Sequence, residues 1–257
     1  MGRSGVQERG SSSVPAAAVL LLLGGVAAAG ILGGEDDVDL SKLASSTTHA
    51  TIGEAPQDSK PFATTDGLVV HPRAETAVYT APDAEPFAKI GPRQFGPTWL
   101  PVIEKADGWV RVLLPSRPNR STGWLPDRDL QRAYSPYAIR VHTGSRTIEV
   151  LHKGRRQGLW KVAVGARKTP TPAGRTFVLG AITDERQAYS PVIMPLGSHS
   201  PTLDTFGGGP GTVAIHGWPQ ASVFGAAVSH GCIRVPAAAL DRLRRIPLGT
   251  LVLIDSK

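Results

Sequence analysis

Hydrophobic and polar positions along the chain fall into two arrangements. From Gly10 to Gly34 no charged residue occurs, and the stretch Val14–Leu32 is apolar. After Gly67 the apolar residues come in short runs, each broken by Gly, Pro or Asp. In the first part of that region the runs are Ala77–Tyr79, Trp99–Ile103, Trp109–Leu114 and Gly123–Leu125. Trp109-Val110-Arg111-Val112 alternates as a half-buried strand does, and Asp107-Gly108 and Pro118-Asn119 are turn signals. Further along, Ala138–Val141, Arg146–Leu151, Lys161–Val164, Thr176–Leu179, Val213–Ile215 and Thr250–Ile254 read as strands, with Gly144 and Gly154 where hairpin turns fall. One helix is predicted over Pro236–Arg245. Pro236 suits its first turn, Leu240 and Leu243 share a face, and Arg242, Arg244 and Arg245 sit at its C-terminal end. The predicted fold is mainly β, with a small barrel over 67–134 and a second β-rich domain with one or two short helices over 135–257.

Before these domains, residues 1–34 form a targeting segment. Arg3 and Arg9 precede the apolar run, and Glu35, Asp36, Asp37 and Asp39 follow it, a polarity that places the remainder outside the cytoplasm. Ala27-Ala28-Ala29 suits a cleavage site, and the apolar run is also long enough to span a bilayer. Both a signal peptide and an uncleaved anchor stay open. Residues 35–66, rich in Ser, Thr, Ala and Asp, read as a flexible linker. The expected location is the cell wall or periplasmic space, with membrane contact only through the N-terminal segment.

Composition narrows the chemistry. Gly (29) and Pro (22) are abundant, which suits turn-rich β structure. The formal net charge is +7, yet no Lys/Arg block exceeds two residues and no nucleic-acid motif is present, so a nucleic-acid partner is not expected. A single cysteine, Cys232, rules out an intrachain disulfide framework and a multi-cysteine zinc cluster. An unpaired cysteine in an exported chain is read as a small buried residue or as a reactive thiol.

The informative stretch is Ala214-Ile215-His216-Gly217-Trp218 followed by Ser229-His230-Gly231-Cys232-Ile233-Arg234-Val235. The thiolate is the nucleophilic form of cysteine, and a neighbouring imidazole can take the thiol proton. His216 follows an apolar strand and is expected at its end. Cys232 is expected in a turn, where Gly231 permits tight backbone and the amides of Gly231 and Cys232 can face an oxyanion.

His216-Gly217 and Ser229-His230-Gly231-Cys232-Ile233-Arg234 resemble the signature of the L,D-transpeptidases (the YkuD catalytic domain). Val164-Gly165 before Thr169-Pro170-Thr171-Pro172-Ala173-Gly174-Arg175-Thr176-Phe177, and the ending Pro247-Leu248-Gly249-Thr250-Leu251-Val252, resemble two further elements of that family. Gly-Trp-Val-Arg-Val followed by Gly-Trp-Leu, at 108–112 and 123–125, resembles bacterial SH3-like domains, in which groove aromatics hold peptide; Trp99, Trp109 and Trp124 are otherwise core residues.

The family resemblance implies a cysteine acyltransferase of peptidoglycan. Its donor is a tetrapeptide stem, and its acceptor is a side-chain amine of a second stem. Cys232 forms a thioester with release of D-alanine, and a 3→3 cross-link results. His216 acts as base, its ring held by the Gly217 carbonyl; the amides of His230, Gly231 and Cys232 form an oxyanion hole, with Ser229, at a family-matched position, placed among the oxyanion and substrate-binding residues. Arg234 has two readings, orienting a stem carboxylate or locking the turn through backbone carbonyls. Trp218 stands where a small polar residue is common and narrows the acceptor side or serves as a platform for it. The resemblance also implies acylation of Cys232 by carbapenems. No metal and no organic cofactor are implied, and a monomer is expected. Two alternatives use the same residues differently: a thiol peptidase that hydrolyses stem peptides, and a non-catalytic wall-binding module.

Overall fold

The computed structural model describes residues 38–183 and 189–257. The targeting segment 1–34 lies outside them. Among the described residues no helix is long and apolar enough to cross a membrane.

The first half of the chain supplies β1 (Ala44–Ser45), β2 (Leu68–Pro72), β3 (Thr76–Tyr79), β4 (Pro86–Ile90), β5 (Leu100–Ala106), β6 (Trp109–Leu113), β7 (Thr122–Pro126) and β8 (Leu130–Tyr134). They form one sheet in the order β1-β4-β3-β7-β6-β5-β2-β8. The Asp107-Gly108 turn joins β5 to β6, with Gly108 at φ +71°. Trp124 is core, whereas Trp99 and Trp109 are half-buried and lie against His71 and Tyr79 respectively.

The second half supplies β9 (Tyr137–His142), β10 (Thr147–His152), β11 (Arg155–Lys161), β12 (Val164–Gly165), β13 (Gly174–Phe177), β14 (Ile182–Thr183), β15 (Val192–His199), β16 (Thr212–Gly217), β17 (Ala227–Ser229) and β18 (Ile233–Val235). The helix α1 (Ala237–Leu243) and the last strand, β19 (Leu251–Asp255), complete it. One sheet runs β11-β10-β9-β19-β13 and another β14-β15-β16-β18, while β12 pairs with β17. Alternation along the strands aims Ile139, Val141, Ile148, Val150, Val252 and Ile254 at Met194, Val213, Ile215 and Ile233 across one core. Leu240 and Leu243 of α1 close it.

The opposite face of that five-stranded sheet is also buried. Phe177, Leu251 and Leu253 pack into the core of the N-terminal strands, beside Leu68, Val70, Leu100 and Leu113. Burying a large apolar side chain contributes about 1.5–3 kcal/mol. The two regions separated at 134/135 by their sequence patterns therefore share apolar packing.

Residues 38–66 depart from the flexible linker expected of them. Ser46, Thr48, Ile52, Ala55 and Asp58 are buried. β1 pairs in parallel with β4, and Asp58 meets Arg175 of β13 in a two-pronged ion pair, Nε to Oδ2 at 2.6 Å and Nη2 to Oδ1 at 2.8 Å. The polar composition that suggested solvation instead supplies hydrogen bonds and charge to a buried seam. A second departure concerns Lys161–Val164. The strand there ends at Lys161, and its body is the largely exposed Arg155–Lys161 at the sheet edge, whose apolar residues, Leu159 and Trp160, are adjacent and do not alternate.

Candidate active site

Parallel pairing of β16 with β18 sets the site. Ile215 lies opposite Ile233, and His216 opposite Arg234. Because Ile215 and Ile233 point into the core, His216 and Arg234 project from the other face. Cys232 directly precedes β18 and so lies level with Ala214, on the His216 side.

The turn carrying Cys232 is held by hydroxyls. Ser229 Oγ donates to the Cys232 carbonyl at 2.5 Å and accepts from the Gly231 amide at 3.2 Å. Thr169 Oγ1 donates to the Ser229 carbonyl at 2.9 Å, and Thr171 Oγ1 to the Gly231 carbonyl at 2.8 Å. Gly231 adopts φ +117°, a conformation that favours glycine. Two expectations change here. Ser229 is 2% exposed, with its hydroxyl spent on the turn, so it shapes the site and does not face a substrate. The Gly231 amide is committed to Ser229, which leaves the His230 and Cys232 amides as the donors without an acceptor among the described residues.

His216 Nδ1 lies 2.8 Å from the Gly217 carbonyl. A carbonyl only accepts, so Nδ1 carries the hydrogen and Nε2 of the neutral ring keeps its lone pair. Gly217 itself is fixed by Ser190, whose Oγ accepts its N–H at 2.9 Å. A Cβ on Gly217 would meet the Tyr189 carbonyl at 2.0 Å, so the backbones approach too closely for any side chain there.

Burial pushes the His216 imidazole below its ordinary range; the hydrogen bond to Gly217 opposes this and the Arg234 charge adds to it. Burial also pushes the Cys232 thiol up, against the pull of the Ala214 backbone N–H and of Arg234. The resting pair is thus a neutral thiol beside a neutral base. Raising pH converts imidazolium to imidazole, so acylation of Cys232 should rise with pH and level off once His216 is neutral. The midpoint should lie below the ordinary imidazole value of about 6.5. Acylation rates by mass spectrometry across pH 4–9 check this (roughly the window in which the ring titrates); a midpoint above that value would contradict it.

The Arg234 side chain has no hydrogen-bond or ion-pair partner among the described residues, and its Nε is buried without one. Its guanidinium lies 3.6 Å over the Trp218 ring. The turn-locking assigned to it as one reading is carried out by Ser229, Thr169 and Thr171. Trp218 stands edge-on to His216 and to Tyr189. Across the turn, His230 stacks on Phe206 at 5.0 Å between centroids, and both rings are exposed. Thr169 and Thr171 lie in a stretch already singled out by its motif. Ser190, Tyr189 and Phe206 carry no motif, and only the folded chain brings them to the site. His199 is buried at 1% exposure, with Nε2 2.8 Å from the Thr48 carbonyl.

The scaffold and site together define a class: a β-sheet sandwich presenting one thiol and one imidazole from neighbouring strands. Residues 136–254 match the family model of the YkuD L,D-transpeptidase catalytic domain, and this part of the chain belongs to that family. The chain is also similar to solved structures. An L,D-transpeptidase from Mycobacterium smegmatis shares 15% identity and a TM-score of 0.39, over 60% of this chain and 98% of that one. One from Mycobacterium tuberculosis H37Rv shares 15% identity at a TM-score of 0.40, over 60% and 92%. The catalytic domain of the E. faecium enzyme shares 22% identity at a TM-score of 0.36, over 46% and 95%. A search of curated proteins returned no match.

Proposed function

We propose that this L,D-transpeptidase domain joins peptidoglycan stem peptides by 3→3 cross-links through a Cys232 thioester, outside the cytoplasm. The observation that carries this reading is the register of β16 and β18. It puts Cys232, His216 and an Arg234 guanidinium without an ion-pair partner among the described residues on one face, beside two free amides.

In the first step Cys232 Sγ attacks the carbonyl before the terminal D-alanine of a tetrapeptide stem. His216 Nε2 takes the thiol proton, and the His230 and Cys232 amides receive the developing oxyanion. The C–N bond breaks, the proton passes to the departing D-alanine amine, and a thioester remains. In the second step the acceptor's side-chain amine attacks that thioester. His216 takes its proton, the C–S bond breaks, and the thiol is restored. Trp218 holds the Arg234 guanidinium flat, where its N–H groups can meet a stem carboxylate bidentately. The segment 67–134 is proposed as an SH3-like unit, on its short hairpin-linked strands.

The test is mass spectrometry of the full chain with a disaccharide-tetrapeptide and with a carbapenem. A Cys232 adduct and a dimer lacking one D-alanine support cross-linking. An adduct with tripeptide alone supports hydrolysis, and neither product supports a binding module. Arg234→Gln should raise KM for the tetrapeptide about 10- to 100-fold, the size of a lost charge-assisted hydrogen bond. Amidating the stem carboxylate should erase that difference. Equal KM values for the two proteins on the unmodified peptide would remove Arg234 from the carboxylate role.

A further inference from the structure

The segment Ser200–Gly211 joins β15 to β16 and packs on the turn that carries Cys232. At its tip Phe206 and Gly209 exchange backbone hydrogen bonds, each at 3.0 Å, and Phe206 carries the ring that stacks on His230. His230 is two residues from Cys232, so the position of this loop sets what stands beside the turn that carries the thiol.

The loop is held from outside the catalytic segment. Arg117, which lies between β6 and β7, donates through Nη2 to the carbonyls of Pro210 at 2.5 Å, Asp204 at 3.2 Å and Leu203 at 3.4 Å. These carbonyls come from both sides of the loop's neck. Three such dipoles converging on one point repel one another unless a cation sits among them. Asn119 grips the base of the loop. Its Oδ1 accepts the His199 N–H and its Nδ2 donates to the His199 carbonyl, both at 2.8 Å. Arg117 is anchored in turn, its amide donating to the Ala50 carbonyl at 2.9 Å and its carbonyl accepting from Ile52 at 2.8 Å.

We propose that the N-terminal β unit is a working part of the cleft: Arg117 is a positioning residue that fixes the Phe206 loop against His230, and Phe206 is a specificity-determining contact for the donor stem peptide. This rests on the reading that Cys232 is acylated by a wall peptide. Phe206 is 51% exposed, so its apolar ring is available to a ligand, and it stacks on His230 of the Cys232 turn, whereas Trp218 stacks under Arg234.

The test compares Arg117→Gln, Arg117→Lys, Phe206→Ala and the double variant Arg117→Gln/Phe206→Ala in the full chain. Phe206→Ala and Arg117→Gln should each raise KM for the disaccharide-tetrapeptide about tenfold, with kcat changed far less. The double variant should be no worse than either, because one variant already removes what the other holds. Arg117→Lys should recover part of the loss. Iodoacetamide, too small to use the ledge, should alkylate all four at the wild-type rate. Wild-type KM in Phe206→Ala would overturn the proposal even if Arg117→Gln failed to fold, and additive losses in a folded double variant would overturn it as well. A second readout needs no substrate: Arg117→Gln should speed hydrogen exchange at the Phe206 and Gly209 amides while leaving core amides protected. Unchanged exchange there overturns the proposal. A wild-type protein that makes no product from the peptide would instead count against the transpeptidase reading, with the exchange result still deciding the role of Arg117.

Discussion

Replacing Cys232 by alanine is expected to lower acyl transfer by at least about a thousandfold, since the chain has no other thiol and the hydroxyls at the turn are each spent on a backbone carbonyl. Folding should be little affected. The turn is held by Ser229, Thr169 and Thr171 through backbone groups, none of which the substitution removes. His216→Ala should also cost several orders of magnitude at neutral pH, but with a different signature. Its thiol remains and lies above the ordinary range, so hydroxide can still ionise it at alkaline pH. Thioester formation in His216→Ala should therefore recover partly as pH rises, whereas Cys232→Ala should show none at any pH. Cross-linking by Cys232→Ala, followed by chromatography of muropeptide products, would end the thioester mechanism.

The second large effect is on stability. Asp58 and Arg175 form a two-pronged pair whose side chains are 2% and 4% exposed, respectively, and Arg175 Nη1 also donates to the Ala63 carbonyl. Asp58→Ala would leave the guanidinium buried without its anion, a change that costs roughly 3–5 kcal/mol. Urea denaturation should show the midpoint falling by the corresponding amount. Asp58→Leu combined with Arg175→Met should recover most of it, because two apolar side chains leave no uncompensated charge. A wild-type midpoint in Asp58→Ala would mean that the 38–66 segment is held by its apolar contacts alone.

Where the chain shows its structure in its sequence, it does so through period and turn chemistry. The strands at 137–142 and 147–152 carry the apolar alternation of a sheet face, 251–255 is a continuous apolar run buried on both faces, and α1 carries a capping proline with Leu240 and Leu243 one turn apart. β15 shows why other elements stay hidden. Pro195 and Gly197 break its pattern, yet a register irregularity between Pro195 and His199 absorbs the proline. Gly197 is where the Phe177 ring passes; a Cβ would meet it at 2.3 Å. The site divides along the same line. His216, Gly217, Cys232 and Arg234 stand in one compact motif and can be read from it. The partners that orient them, such as Ser190 on Gly217, and those that shape the groove, such as Arg117 beneath the Phe206 loop, lie far away in sequence and carry no local pattern. The linker reading of 38–66 failed for a related reason: a polar segment that packs through buried hydroxyls and a single ion pair has the composition of a solvated one.

The packing of Phe177, Leu251 and Leu253 into the N-terminal core bears on what can be inherited or engineered as a module. A cut just before Pro136, where the family match begins, would strip one side of the central sheet and present that greasy surface to water, a recipe for aggregation. The transferable unit is therefore the whole span from Val38 to Lys257. Any fusion, shuffling event or crystallisation fragment that respects only the catalytic boundary divides a hydrophobic core that both halves of the chain build.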